Sequence, residues 1–173
     1  MVDQSSGPQQ TVGRYTVVPR TLIFLKRDEH VLLMRGGAHK WFAGRYNGLG
    51  GHVEPGEDVY TAALREVQEE AGVRPEALAL RAVVHVVGFD PGVLLFVFCG
   101  TLSAEPVAAS AEGTLEWVPL ERLDHYPLLP DLRWLLPRVL DSTVPLLFAT
   151  FDVGETTITV RTAEGEETVL PRL

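Results

Sequence analysis

The sequence predicts an α/β fold, and three observations carry that prediction. Apolar, strand-like runs flank one amphipathic helical segment that begins at Glu57 and stops at Gly72. Turn signals pair those runs as neighbours, before the helix and again after it. A second helical segment, residues 131–139, stands among the later strands. Strands that share a chain with such helices are expected to form a sheet covered by them.

A chain of 173 residues suits one domain with a sizeable core, and 46% hydrophobic content is ordinary for one. The expected organisation is a disordered polar tail over residues 1–13 and a single domain over 14–173. Residues 15–26 (YTVVPRTLIFLK) and 31–34 are strand-like, and the turn Arg27-Asp28-Glu29-His30 joins them as a hairpin. Pro19 lacks an amide hydrogen and implies an edge, a bulge or a break in the first run. A loop with six glycines between Gly36 and Gly51 follows. The helix after it opens on Glu57 and Asp58, which suit the positive end of its dipole, and ends on Gly72, a C-terminal cap. Tyr60, Ala63, Leu64, Val67 and Ala71 share an arc expected to pack on the sheet.

Residues 80–89 and 93–98 are apolar runs joined by Asp90-Pro91-Gly92, an antiparallel pair. Residues 116–120 form another short strand. The helix over 131–139 has Asp131 as its N-cap after Pro130, and Pro137 leaves its later part open. Residues 146–153 and 156–160 read as strands about Gly154-Glu155, with a short edge strand over 168–170.

Composition limits function. A net charge of −8 and a pI near 5.1 argue against a nucleic-acid polymer as partner, which needs a basic surface. They do not argue against a nucleotide, because bound metal inverts the field of an acidic site. No apolar run is long enough to span a membrane, and the first ten residues lack a signal peptide's basic start and apolar stretch. Cys99 sits in an apolar run and reads as a buried small hydrophobe. A single cysteine allows no intrachain disulfide, so a cytoplasmic location is expected.

The helical segment carries the chemistry. Glu66, Glu69 and Glu70 fall within an arc of roughly 100° on one face. Like charges so placed cost a few tenths of a kcal/mol even on an exposed helix. A hard divalent cation with oxygen ligands reverses that sign.

The stretch GHVEPGEDVYTAALREVQEEAGV resembles the Nudix box, G-x5-E-x7-R-E-U-x-E-E-x-G-U with U aliphatic, and matches it at every defined position: Gly51, Glu57, Arg65, Glu66, Val67, Glu69, Glu70, Gly72 and Val73. Seven of these demand one residue type, which puts a chance match on the order of 10⁻⁹ per start point. The resemblance implies an α/β/α sandwich with a central mixed β-sheet. It also implies hydrolysis of a nucleoside diphosphate linked to a further group, with Mg²⁺ or Mn²⁺. Glu66 and Glu70 would be the principal metal ligands, with Glu69 sharing the cluster and the Gly50 carbonyl a further ligand. Arg65 would orient the glutamates, and Glu57 would tie the helix start to Arg65. The family often adds a carboxylate from a loop before a late strand; Glu112 is the candidate and Glu116 its rival. The general base is left unassigned.

Arg35, where the second strand ends, is a candidate phosphate clamp. The segment WFAGRYNGLGG is similar to the branch that hydrolyses oxidised purine nucleotides such as 8-oxo-dGTP, in which Asn47 would contact the base and Trp41 could stack on it. Asn47-Gly48 is equally a good turn pair, and Trp41 could simply cover the core. Asp131, followed by Trp134, loosely resembles that branch's base-recognition acid, although its spacing differs and a second aspartate is missing. The expected function is therefore metal-dependent nucleotide pyrophosphohydrolysis. Its alternatives are an ADP-ribose, nucleotide-sugar or dinucleoside polyphosphate pyrophosphatase and a non-catalytic nucleotide sensor. A small nucleotide is the expected partner, with no membrane, and a homodimer is left open.

Overall fold

The computed structural model describes residues 15–106 and 112–172; the expected tail over 1–13 lies outside them. Among the described residues nine strands form one mixed sheet: β1 (Val17–Arg27), β2 (His30–Gly36), β3 (Tyr46–Asn47), β4 (Ala77–Val87), β5 (Gly92–Thr101), β6 (Gly113–Pro119), β7 (Leu147–Val153), β8 (Thr157–Thr162) and β9 (Glu167–Pro171). Their order is β3-β2-β1-β5-β4-β7-β8-β9, with β6 beside β2. The β1–β5 and β4–β7 pairs are parallel and the others antiparallel. Helix α1 spans Val59–Ala71 and α2 spans Pro130–Leu140.

The two helices cover opposite faces. Tyr60 of α1 meets the Phe98 ring of β5, and Trp134 of α2 meets the Phe151 ring of β7. Phe151 lies beside Val86, whose face continues through Val84 and Ala82 to Val97, the neighbour of Phe98 in β5. Adjacent strand residues point to opposite faces, so the helices sandwich the sheet as an α/β/α arrangement. Between them Ile23, Leu25, Leu32 and Leu33 are fully buried, each contributing roughly 1.5–3 kcal/mol.

Several elements depart from expectation for identifiable reasons. Helix α1 starts two residues after Glu57, because the Asp58 carboxylate caps the amides of Tyr60 and Thr61 at 2.8 and 3.0 Å. Ala62 is buried with Ala63, Val67 and Ala71, whereas Tyr60 stays 45% exposed at the rim. Pro19 breaks nothing. β1 is continuous and central, and the Pro19 carbonyl accepts the Val53 amide at 3.1 Å on the side that β2 does not reach. Asp131 is not the cap of α2: Leu129 holds that position, Pro130 opens the helix and Asp131 lies in its first turn. Pro137 is accommodated, and α2 runs on to Leu140.

Two features of the sheet position the site. β1 pairs with β2 only over residues 25–27 and then diverges. The edge so freed is taken by the loop before α1: Thr21 N–H donates to Gly51 O at 2.8 Å, and Ile23 and Leu49 exchange both amide bonds at 2.8 and 3.1 Å. This loop is therefore fixed to the sheet at a ladder's spacing. In β4 a bulge lies between Leu80 and Ala82. Its Arg81 reaches the carbonyls of Val139, Asp141 and Val144, satisfying the C-terminal end of α2.

Candidate active site

The pinned loop and α1 face each other across a short gap, and Glu70 bridges it. Its side chain accepts the Gly50 N–H at 2.8 Å, and the residue is 5% exposed. Burial, with the nearby carboxylates of Glu66 and Glu112 adding to it, pushes Glu70 up to about 8 against the opposing pull of the Gly50 amide. Among the described residues Glu70 sits in no ion pair. A buried carboxylate beside two others, without a cation of its own, is a donor set suited to a hard divalent ion.

Behind Glu70, Arg65 organises the remaining acids. It donates to Glu57 through Nη2 at 2.7 Å and Nε at 3.2 Å, to Glu66 at 2.8 Å, to Glu69 at 3.1 Å and to the His52 carbonyl at 2.9 Å. Glu57 also accepts the Glu54 N–H at 2.7 Å. The Arg65 guanidinium, with that amide, holds the Glu57 carboxyl below the usual carboxylate range. The loop and helix start are thus tied by one forked pair. Glu66 sits directly against Gly51, where an added Cβ would stand 2.5 Å from Glu66 Oε1.

Among the described residues no three acidic, histidine or cysteine side chains form a ready-made coordination set. The ion pairs give the reason. Arg65 holds Glu66 and Glu69, Lys40 Nζ pairs with Glu112, and that lysine pulls the Glu112 carboxyl down. Two internal cations therefore spread the charge that a bound ion would draw together.

Melting should show the weight of the Arg65 fork. Arg65→Met is expected to lower the melting temperature near neutral pH. The deficit should narrow as pH falls below the ordinary glutamate value of 4.5. The Glu57 carboxyl titrates lower in the folded chain than in the unfolded one. Its stabilisation is therefore complete above the unfolded value and lost as pH drops through the folded one. Melting curves of both proteins from about pH 7 to about pH 3 check this, and a constant deficit would contradict it.

A cavity of about 620 Å³ opens beside Glu70 on the α2 face of the sheet, within the usual range for small-molecule sites. Trp41, Asn47, Gly50, Glu70, Glu112 and Asp131 all line it. Trp41 does not cover the core: it is 73% exposed, edge-on to the Phe42 ring at the cavity mouth. Asn47 Oδ1 accepts the Gly48 N–H at 2.8 Å, so the side chain serves the turn while lining the cavity. Burial pushes the Asp131 carboxyl above its ordinary value.

Other candidates lie elsewhere. Arg35 is exposed, reaches the Gly44 carbonyl at 3.4 Å and is not part of the lining. Glu69 points outward with a 58% exposed side chain. Glu116 accepts the hydroxyls of Tyr46 and Tyr126 in a separate cluster. Cys99 is half-buried, and burial pushes its thiol up to about 12. The structure adds Arg20, Lys40 and Arg172, three cations in the lining that the sequence pattern did not single out. The sheet face was the available signal for Arg20, since it precedes Leu22 by two residues in β1.

Comparison with known proteins agrees with this architecture. The model of the NUDIX domain matches residues 16–140. An NAD-capped RNA hydrolase from Edwardsiella ictaluri is 31% identical over 130 residues, covering 75% of this chain and 49% of that protein. One from Salmonella heidelberg is 29% identical over 138 residues, covering 79% of this chain and 51% of that protein. The chain thus spans about half the length of these relatives. Among solved structures, a MutT protein from Bacillus halodurans superposes with a TM-score of 0.69 at 25% identity, over 88% of this chain and 97% of the other. The Nudix domain of Shewanella oneidensis NrtR, complexed with ADP ribose, gives 0.61 at 18% identity over 76% and 91%. No helix among the described residues is long and apolar enough to cross a membrane. With its complete box on α1, the sheet sandwiched between α1 and α2, and a family match over most of its length, the chain belongs to the NUDIX domain family.

Proposed function

We propose that this chain is a divalent-metal-dependent nucleotide pyrophosphohydrolase. The observation that carries the reading is Glu70: a buried carboxylate held by the Gly50 amide, beside Glu66 and Glu112, at the inner wall of a nucleotide-sized cavity. Glu66, Glu70 and Glu112, with the Gly50 carbonyl and Glu69 at the margin, are the residues that would hold Mg²⁺ or Mn²⁺. The ion supplies neutralisation of phosphate charge and a lowered pKa for attacking water.

The chain's own groups do the rest. Arg65 holds Glu66 and Glu57 in fixed directions, which matters because a ligand's orientation governs affinity. Lys40 and Arg20 supply positive charge toward the substrate phosphates, and Lys40 would serve that role more fully were Glu112 to hold the ion. Water attacks phosphorus and gives up a proton to a carboxylate of the site or to solvent, the anhydride P–O bond breaks, and the leaving phosphate carries the electron pair away. Asn47 and Asp131 are proposed to read the nucleobase, with Trp41 stacking at the mouth. Arg35, on the β2–β3 side and outside the lining, is proposed as a phosphate contact only for a group that leaves the cavity on that side.

The substrate class is a small nucleotide carrying a diphosphate. Purine nucleoside triphosphates, including oxidised ones such as 8-oxo-dGTP, are the first expectation. The relatives named as NAD-capped RNA hydrolases favour dinucleotides as the second reading. They also narrow the expectation that no polymer binds: a net charge of −8 opposes extended backbone contact but not entry of a terminal diphosphate. A cytoplasmic site of action fits either substrate.

The deciding assay is hydrolysis with Mg²⁺ or Mn²⁺ across dGTP, 8-oxo-dGTP, ADP-ribose, NAD and a dinucleoside polyphosphate, with products identified. We expect turnover that disappears with EDTA and returns with the metal. Saturable binding without turnover under either metal would instead make the chain a nucleotide sensor.

A further inference from the structure

The family match ends at residue 140, but the cavity continues past it. β7, β8 and β9 extend the sheet beyond β4, and Val153, Ile158 and Arg172 line the same cavity as Glu70 and Glu112. The register shows that they continue its floor. Arg20 pairs with Leu95, Val93 with Val86, Val86 with Phe151, and Val153 with Ile158, all on the face that α2 covers. From Arg20 on β1 to Ile158 on β8 the floor crosses four strand spacings of about 4.8 Å, or roughly 19 Å.

The nucleotide reading given above leaves much of this length unused. Asn47 lies on β3 and the Gly50–Glu70 contact beside β1, so base and metal-facing phosphates draw on one end of the strand order. The other end has its own chemistry. Phe89, Val153 and Ile158 offer apolar wall, and Phe89 is 47% exposed. Arg172 is tethered there: its backbone N–H donates to Thr156 O at 2.8 Å and its Nη1 to Gly154 O at 2.6 Å. A guanidinium carries five N–H donors, and among the described residues Arg172 enters no ion pair. An anchored guanidinium beside apolar walls suits a ring-bearing moiety with a phosphate, which its planar fork can grip at two oxygens.

We propose that β7–β9 form a distal subsite in which Arg172 binds a phosphomonoester on the part of the substrate remote from the scissile diphosphate. The inference rests on the pyrophosphohydrolase reading. It narrows the substrate class to nucleoside diphosphates linked to a second nucleoside or sugar, with preference for those bearing an additional phosphate. A family member without this extension has no counterpart of the subsite.

A matched substrate pair tests it: NADPH against NADH with Mg²⁺, bound with the nicotinamide at the Asn47 end and the 2′-phosphorylated adenosine at the β7–β9 end. We expect kcat/KM to favour the phosphorylated member by about tenfold, carried by KM, as one added charged hydrogen-bonding contact gives. Arg172→Ala should bring that ratio close to one. Arg172→Lys, which keeps the charge and loses the fork, should retain part of it, and melting curves verify that both variants fold. Equal use of both members by the wild type overturns the subsite, as does a preference that survives Arg172→Ala; the pyrophosphohydrolase reading then stands. Turnover confined to mononucleoside triphosphates has the same meaning. Failure to hydrolyse any nucleotide in the panel removes that reading and the inference with it.

Discussion

Glu70→Gln is expected to reduce kcat by on the order of 10³-fold while leaving the fold as stable as the wild type or more so. The two effects share one cause. The carboxylate is buried beside Glu66 and Glu112, and burial has already raised its pKa to about 8. An amide of equal size keeps an oxygen for the Gly50 N–H, now at 2.8 Å from Glu70, and removes an acid whose ionised form is costly in that position. A residue kept for packing would lose stability on replacement, and one kept for catalysis would lose rate. Activity at saturating Mg²⁺, the Mg²⁺ concentration for half-maximal rate, and the melting temperature separate the two. Wild-type turnover in this variant would remove Glu70 from the site.

Lys40 fits the same logic. It pairs with Glu112 and spares that carboxylate the repulsion of Glu70. Arg65 does likewise for Glu66 and Glu69. The acids of the site are thus held apart by cations of the chain. Assembling them around a divalent ion would carry an energetic cost that the ion's own charge would offset.

What was legible in the sequence and what was not divides along physical lines. Contacts on α1 recur at helical spacing, so spacing alone puts Arg65, Glu66 and Glu70 on one scaffold. Misplacements occurred where neighbouring groups compete for one terminus. Pro130 takes the first helical position of α2 and moves Asp131 from cap to first turn. Asp58 takes the cap of α1 and leaves Glu57 outside the helix, free to reach Arg65. Glu112 and Glu116 lie close together in sequence, but only pairing partners separate them: β6 carries Glu116 to Tyr46 and Tyr126, while Lys40 meets Glu112. Arg20, Lys40 and Arg172 come from a strand, a loop and the end of a distant strand. No periodicity links such residues, so only the folded sheet brings them to one cavity.

The second large effect belongs to a residue without a side chain. Gly50→Ala should destabilise the fold by about 3 kcal/mol or more and abolish measurable hydrolysis, because strain and steric conflict act together there. Gly50 has φ +131°, a conformation that side chains rarely adopt, and an added Cβ would stand 2.3 Å from the Thr21 carbonyl oxygen. That carbonyl belongs to β1, so the conflict cannot be relieved by a rotamer change. Relief requires the loop to lift off the ladder formed by Thr21–Gly51 and Ile23–Leu49, and with it the amide that holds Glu70. Two neighbours act as controls. Gly44 also has positive φ, at +75°, but its added Cβ meets nothing within 4 Å; Gly44→Ala should cost only the strain, about 1–2 kcal/mol, with activity retained. Gly51→Ala presses on Glu66 Oε1 at 2.5 Å, the movable end of a side chain, so it should cost more in rate than in stability. Denaturant unfolding and Mg²⁺-dependent turnover of the three variants distinguish backbone, ligand and strain contributions. Equal behaviour of Gly50→Ala and Gly44→Ala would mean that the loop's attachment to β1 does not hold Glu70 in place.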